Sequence, residues 1–194
     1  NPTIREMYMF PPQNADLLPE RLMNYELSLL QVIPYYRLHF GLNLFYINGN
    51  NMIQMEPGVG KWGNSGEVEN KGVEGELTWQ ATRGLQLTAN YSYLDMTHPV
   101  LAAPEHKFYA GGTYTTDKWS LSSGLMLVGD LYTSVNPIAG KESFVLWDAR
   151  AQYSLPTGVD LFLRGENLMD ESYQINDGYP MPGRTFYGGL QFRF

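Results

Sequence analysis

The sequence predicts an all-β fold, an antiparallel β-barrel that spans a membrane. Three observations carry the prediction: apolar and polar residues alternate with period 2, connections alternate between short and long, and the composition is rich in aromatics and glycine but poor in charge. Aromatics make up 14% of the 194 residues, with 14 Tyr and 20 Gly, while charged residues reach only 17%. Ordinary globular domains carry about 25% charged residues. No stretch approaches the ~18 apolar residues of a membrane helix. A strand in a barrel wall needs one apolar face only, so its average hydropathy stays near neutral.

Alternation is clearest where Leu85, Leu87, Ala89, Tyr91 and Tyr93 interleave with Gln86, Thr88, Asn90 and Ser92. Leu38, Phe40, Leu42, Leu44 and Tyr46 stand opposite Arg37, His39, Gly41, Asn43 and Phe45. Val73, Gly75, Leu77 and Trp79 alternate with Glu74, Glu76, Thr78 and Gln80, and Val159, Leu161 and Leu163 with Asp160, Phe162 and Arg164. The last stretch sets Phe186, Gly188, Leu190, Phe192 and Phe194 against Tyr187, Gly189, Gln191 and Arg193. With weaker patterns between them, nine strands are expected at roughly 20–33, 36–48, 66–81, 84–95, 105–116, 118–131, 142–154, 158–169 and 183–194. Each is long enough for the ~9–11 residues of a tilted transmembrane strand.

The connections are sorted. Pro34-Tyr35, Thr82-Arg83, Asp117 and Pro156-Thr157-Gly158 read as tight turns, and long loops fall near 48–65, 95–104, 131–141 and 170–182, with residues 1–19 the end of another. Outer-membrane barrels have short periplasmic turns and long extracellular loops. With Phe194 on the periplasmic side, every short turn is periplasmic and every long loop is outside. A soluble sandwich or lipocalin-like barrel also explains alternation, but not this sorting.

Composition excludes several classes. A net charge of −7 argues against a nucleic-acid partner. The absence of cysteine removes disulfides, thiolate metal sites and cysteine nucleophiles. There is no GxSxG, HExxH or P-loop, and His39, His98 and His106 are scattered. His98 near Asp95 is the one pair that resembles a barrel-rim hydrolase, and it reads better as polar loop, so no enzyme activity, cofactor or metal centre is expected. Asn1 is not an initiator Met, which suggests a mature, processed or cut chain.

The C-terminal strand carries the most specific signal. Phe194 is the last residue, with Phe186, Leu190 and Phe192 on its face. This resembles the assembly signal of bacterial outer-membrane proteins, where the insertion machinery pairs with the last strand. Further segments resemble TonB-dependent receptors. Pro2-Thr3-Ile4-Arg5-Glu6-Met7-Tyr8 is similar to a loop segment these receptors carry midway through the barrel, followed by Leu18-Pro19-Glu20 and Asn24-Tyr25-Glu26. Leu18 stands where the family usually has Lys. Asn70-Lys71-Gly72-Val73-Glu74 continues into Gly75-Glu76-Leu77 like the family's NKGVE strand, and Pro104-Glu105-His106-Lys107 resembles a strand start. Glu166-Asn167-Leu168-Met169-Asp170-Glu171-Ser172-Tyr173 and Pro182-Gly183-Arg184-Thr185-Phe186 resemble the two segments around the last long loop. The motifs occur in the family's order and cover essentially the whole chain.

The resemblance implies the C-terminal part of a larger barrel of about 22 strands around a folded plug. On that reading residues 1–194 are about nine C-terminal strands, without plug or N-terminal strands, and residues 1–19 are the candidate for a tenth. It implies a multi-pass protein of the outer membrane of a Gram-negative bacterium, taking up a scarce nutrient such as a ferric siderophore or cobalamin with energy from TonB. Its partners would be membrane lipid, the barrel assembly machinery, the TonB complex through the missing plug region, and a nutrient ligand at the extracellular loops. The alternative is a passive pore or structural barrel.

Some residues are ligand candidates in this frame. Met7, Met9, Met52, Met55, Met96 and Met181 fall in proposed loop or loop-proximal segments, with His98. Thioethers suit soft metals, although loop self-packing explains methionine as well. Tyr35, Tyr36, Trp79, Tyr93, Trp119, Tyr132, Trp147 and Tyr153 fall near strand ends, as interfacial aromatic girdles do. Asp130, Asp148, Arg150, Arg164 and Glu166 share the parity that faces the lumen.

Overall fold

The computed structural model describes residues 1–9, 12–55, 60–135 and 138–192. The expected terminal Phe194 lies outside the described residues. Alternating sequence becomes strand throughout: β1 Arg21–Ile33, β2 Leu38–Met55, β3 Trp62–Gln80, β4 Leu85–Met96, β5 Pro104–Thr115, β6 Trp119–Ser134, β7 Gly140–Ser154, β8 Val159–Glu166, β9 Gln174–Asn176, β10 Tyr179–Pro180 and β11 Thr185–Phe192. Among the described residues, nine strands form one sheet in the order β1-β2-β3-β4-β5-β6-β7-β8-β11, and β9 and β10 form a separate hairpin. Among the described residues no helix is long and apolar enough to cross a membrane.

Several boundaries differ from the sequence expectation. The loop expected at 48–65 is mostly strand, because β2 continues to Met55 and β3 begins at Trp62. Backbone ladder bonds outcompete the turn tendency of its Asn and Gly residues. Likewise β6 runs to Ser134 and β7 starts at Gly140, and the 170–182 loop contains the β9–β10 hairpin. The described residues of 1–19 add no strand; Arg5–Met9 form a π-helical turn. The Pro34-Tyr35 turn is a 3₁₀ turn, Pro34–Tyr36, closed by Arg37 in the left-handed region at φ 52°.

The chain divides into two compact units. The first comprises Asn1–Leu27, Leu44–Gly72 and Asp95–His98. Here the Thr3 N–H donates to Glu6 Oε2 at 2.7 Å and the Glu6 N–H to Thr3 Oγ1 at 3.3 Å, a reciprocal capping box. Those bonds to Thr3, its backbone N–H first, hold the Glu6 carboxyl below its ordinary pKa. Asn64 ties the following segment down: its Oδ1 accepts from the Leu18 N–H at 2.7 Å, and its Nδ2 donates to the Leu18 and Asn51 carbonyls at 2.8 Å. Leu17 is buried between these ties. Local side-chain bonding therefore keeps this segment a loop.

The second unit comprises Ser28–Asn43, Val73–Leu94 and Pro99–Phe194. From β4 to β8 and on to β11 every neighbouring pair is antiparallel. Residues directly opposite share a face. One row runs Leu87, Gly112, Ser123, Ala149 and Gly165; the adjacent row runs Thr88, Gly111, Gly124 and Asp148. The apolar face, odd-numbered on β4, β6, β7 and β8 and even-numbered on β5 and β11, is open, with Leu121, Leu127, Leu163, Phe186 and Leu190 all exposed. A one-layer sheet has no interior to bury these side chains, and lipid is the solvent that suits them. The described core is small: Val128, Leu131 and Phe144 pack with Met126, Leu146, Tyr173 and Ile175. Burial raises the pKa of the Tyr173 phenol, whose ring lies 4.4 Å from Phe144.

The expected aromatic girdle has structure at the short-turn ends. Tyr35 and Tyr36 meet edge to face at 4.9 Å, Trp79 Nε1 donates to the Tyr36 carbonyl at 3.1 Å, and Trp119 lies 4.8 Å from Tyr153. Trp147 departs from the expectation. It sits mid-strand opposite Leu125, and its indole N–H is satisfied by Ser123 Oγ at 2.8 Å.

Candidate functional site: a polar wall and a clasped loop

The opposite face of the second unit is a polar wall. Ser28 Oγ donates to Asn43 Oδ1 at 2.7 Å, and Asn43 Nδ2 to Glu74 Oε2 at 3.4 Å. These residues line a cleft of about 540 Å³ with Asn90, Ser92 and Lys107. Farther along, Arg150 and Arg164 are direct cross-strand neighbours. Like charges so placed repel, and each has relief. Arg164 pairs with Glu166 at 2.6 Å, while Arg150 donates to Gln152 at 2.9 Å and stacks over Phe162 at 4.7 Å. Asp148 occupies the same face. Asp130 does not extend this row. A bulge between Val128 and Leu131 breaks the alternation there, Asp130 takes φ 52°, and it faces Lys141 at 3.9 Å.

Aromatic rings lie flat on this wall over glycines. A Cβ at Gly111 or Gly124 would come within 2.4 and 2.6 Å of the Tyr109 hydroxyl, and one at Gly189 within 2.7 Å of the Phe162 ring. All five residues lie on the polar face.

The segment from Glu166 to Tyr173 closes the last long loop. Asn167 is 5% exposed and left-handed at φ 48°. Its N–H donates to Asp148 Oδ1 at 2.9 Å, its Nδ2 donates to the Glu171 and Pro182 carbonyls at 2.8 and 3.3 Å, and its Oδ1 accepts from the Glu171 N–H at 2.8 Å. Asp170 adds a second tie, accepting from the Arg184 N–H at 2.8 Å and pairing with its guanidinium at 3.7 Å. A Cβ at Gly183 would meet Asp170 Oδ1 at 2.8 Å, so the close approach uses glycine. Leu168 donates its N–H to the Trp147 carbonyl at 2.8 Å. The structure thus brings Asn167, Leu168, Asp170, Gly183 and Arg184 together as a clasp between β8 and β11.

That clasp holds the β9–β10 hairpin in place. Tyr173 and Ile175 sit on the Phe144 cluster, the Asp177 N–H donates to the Thr133 carbonyl at 2.9 Å, and the Gly178 N–H to Gln174 Oε1 at 2.6 Å. Gly178 supplies the positive φ of 80° at the Asp-Gly turn. Beside the hairpin lies a cleft of about 510 Å³ lined by Leu101, Thr133, Ser134, Val135, Asn176, Asp177 and Tyr179. Sequence reading passed over this cleft. The Asp-Gly pair flanked by Gln174-Ile175-Asn176 and Tyr179 was the available signal.

The other candidates are dispersed. In the first unit Lys71 pairs with Asp95 at 3.2 Å, which takes Asp95 away from any role with His98. Val73 and Glu74 belong to the second unit, while Asn70, Lys71 and Gly72 belong to the first. Met52 and Met55, expected in a loop, are in β2, and Met96 ends β4. Met52 packs so closely on β3 that a Cβ at Gly66 would lie 2.7 Å from its own. Met7 and Met9 are in the N-terminal π-helical turn, and Met181 donates its N–H to the Tyr173 carbonyl at 2.9 Å. Among the described residues no group of three His, Cys, Asp or Glu is placed to hold a metal ion. Phe186, Leu190 and Phe192 share the apolar face of β11, opposite Gly165, Leu161 and Val159.

A family model described as TonB dependent receptor-like, beta-barrel, matches residues 1–168. The chain belongs to that family. Family and neighbours are outer-membrane transport receptors, not enzymes, and this chain is a multi-pass wall segment of the outer membrane. It is 23% identical over 205 positions to the vitamin B12 transporter BtuB of Photobacterium profundum, covering 100% of this chain and 33% of that relative. It overlays the ferric-catecholate import receptor Fiu of E. coli K12 with a TM-score of 0.75 at 22% identity, covering 92% of this chain and 28% of Fiu. It overlays the copper transporter OprC with a TM-score of 0.78 at 19% identity, covering 100% of this chain and 36% of OprC. The chain spans about a third of the length of the curated relatives it matches first, at 33% and 32%. Three cargo types on one barrel wall show that the fold does not choose the cargo.

Proposed function

We propose that residues 1–194 are part of the wall of a receptor that imports a scarce nutrient, such as a ferric siderophore or cobalamin, with energy from the TonB complex. The observation that supports this most is the family match across residues 1–168, in register with a B12 transporter over 100% of the chain. The polar face is the wet wall of the passage, and the clasped loop is part of the ligand-facing surface. Coupling to TonB runs through parts of the receptor outside residues 1–194. The apolar face contacts lipid, and the β11 face of Phe186, Leu190 and Phe192 is read by the barrel assembly machinery.

The test is uptake of labelled ferric chelates and cyanocobalamin by cells with and without the gene that encodes this chain, each in TonB-competent and TonB-deficient backgrounds. The expected result is one cargo whose uptake needs both. Gene-dependent uptake that persists without TonB would replace the receptor with a passive pore.

A further inference from the structure

The cleft beside the β9–β10 hairpin has a chemistry of its own. Its polar side chains are the hydroxyls of Thr133, Ser134 and Tyr179, the amide of Asn176 and the carboxylate of Asp177. Among the described residues that line it there is no Lys, Arg or His. Ser134 Oγ is spent on the Ile138 carbonyl at 2.9 Å. The side chains of Asn176, Asp177 and Tyr179 are engaged by no other described residue, and Tyr179 is 73% exposed. The support beneath them is rigid: two backbone ties, an Asp-Gly turn and the Phe144 cluster. An aromatic ring with two torsions on a fixed hairpin offers contact area at low entropic cost, and amide and carboxylate groups beside it set orientation.

We propose that this cleft binds an uncharged ligand rich in amide or hydroxyl groups and carrying a flat apolar face. Tyr179 stacks on the apolar face, Asn176 bonds both donors and acceptors, and Asp177 accepts from ligand N–H or O–H groups. A polyanionic chelate would meet Asp177 with no compensating cation on the lining, which disfavours it through uncompensated like charge. The inference rests on the receptor reading and specifies the substrate class at its extracellular loops.

The experiment is binding to the intact receptor in the outer membrane of cells, with three probes: cyanocobalamin, a neutral oligosaccharide and a ferric tris-catecholate. One neutral probe is expected to bind, and Tyr179→Ala or the pair Asn176→Ala with Asp177→Ala to weaken it at least tenfold. Tyr179→Phe, which keeps the ring, should lose less, and surface labelling confirms equal receptor levels. Binding of the catecholate alone, binding of none of the three, or neutral-probe binding indifferent to Tyr179→Ala would each overturn the cleft assignment. If uptake still requires the gene and TonB in that case, the receptor reading stands and only the cleft falls. If deleting the gene changes no uptake at all, the receptor reading falls first.

Discussion

On the odd face of β8, Leu163 is 58% exposed; one residue on, across the strand, Arg164 grips Glu166 at 2.6 Å, and Asp160 on that same even face is 3% exposed. One backbone carries two solvents. The apolar face gains stability only when lipid covers it, whereas the polar face is held by bonds the protein makes with itself. Alternation therefore partitions the environments side chain by side chain, and a substitution should report which side it landed on.

The largest effect should separate the two faces directly. Leu163→Arg places a charge mid-strand on the lipid side, at a cost of about 2–4 kcal/mol near the bilayer midplane. Thr88→Arg puts the same charge on the wet side. Outer-membrane levels of the intact receptor should fall sharply for the first and little for the second; equal losses would break the assignment of faces. Next is the clasp. Asn167→Ala leaves the Glu171 N–H without its acceptor and puts Ala at φ 48°, costing about 1–3 kcal/mol. Protease cleavage within 167–184 on whole cells should accelerate, and Asn167→Gly, which tolerates the φ, should fall between. A smaller effect is expected at Gly124→Ala, where the new methyl displaces the Tyr109 ring at about 1 kcal/mol. Thermal unfolding of the purified receptor measures it, and Gly124→Ala with Tyr109→Ala should recover the loss. Smallest is the Glu6 turn. Its pKa lies below the ordinary carboxylate value of 4.5, so its contribution is present above that value and fades as pH falls through the lowered pKa. Amide exchange at Thr3 and Glu6, corrected for intrinsic rate, should quicken on acidification; Glu6→Ala should abolish the pH effect.

Strand count and faces were legible in the sequence because a one-layer wall writes its environment into every second residue. Leu85–Tyr93 needed no tertiary knowledge. The extensions of β2 and β3 were not legible, since Asn48, Gly49, Asn50 and Asn51 carry loop preferences that a ladder partner overrides. Asp130 was misplaced because a bulge shifts parity without any signature in the local alternation. The clasp was visible as motif but not as mechanism. Nothing in the spelling of Asn167 or Gly183 says that one bonds three backbone groups of the loop and the other makes room for Asp170. The cleft by Tyr179 depends on three segments distant in sequence, so no single segment could reveal it.

Tyr109 and Phe162 rest against glycines instead of standing up from the sheet. The polar face is thereby planed down at these two rings, which add breadth without height. A surface of such low relief behaves as a bearing, offering wide, shallow contact with few protrusions to snag whatever moves along it. Bulk at Gly111, Gly124 or Gly189 would tip a ring upright, roughening the track while leaving the strand itself in place.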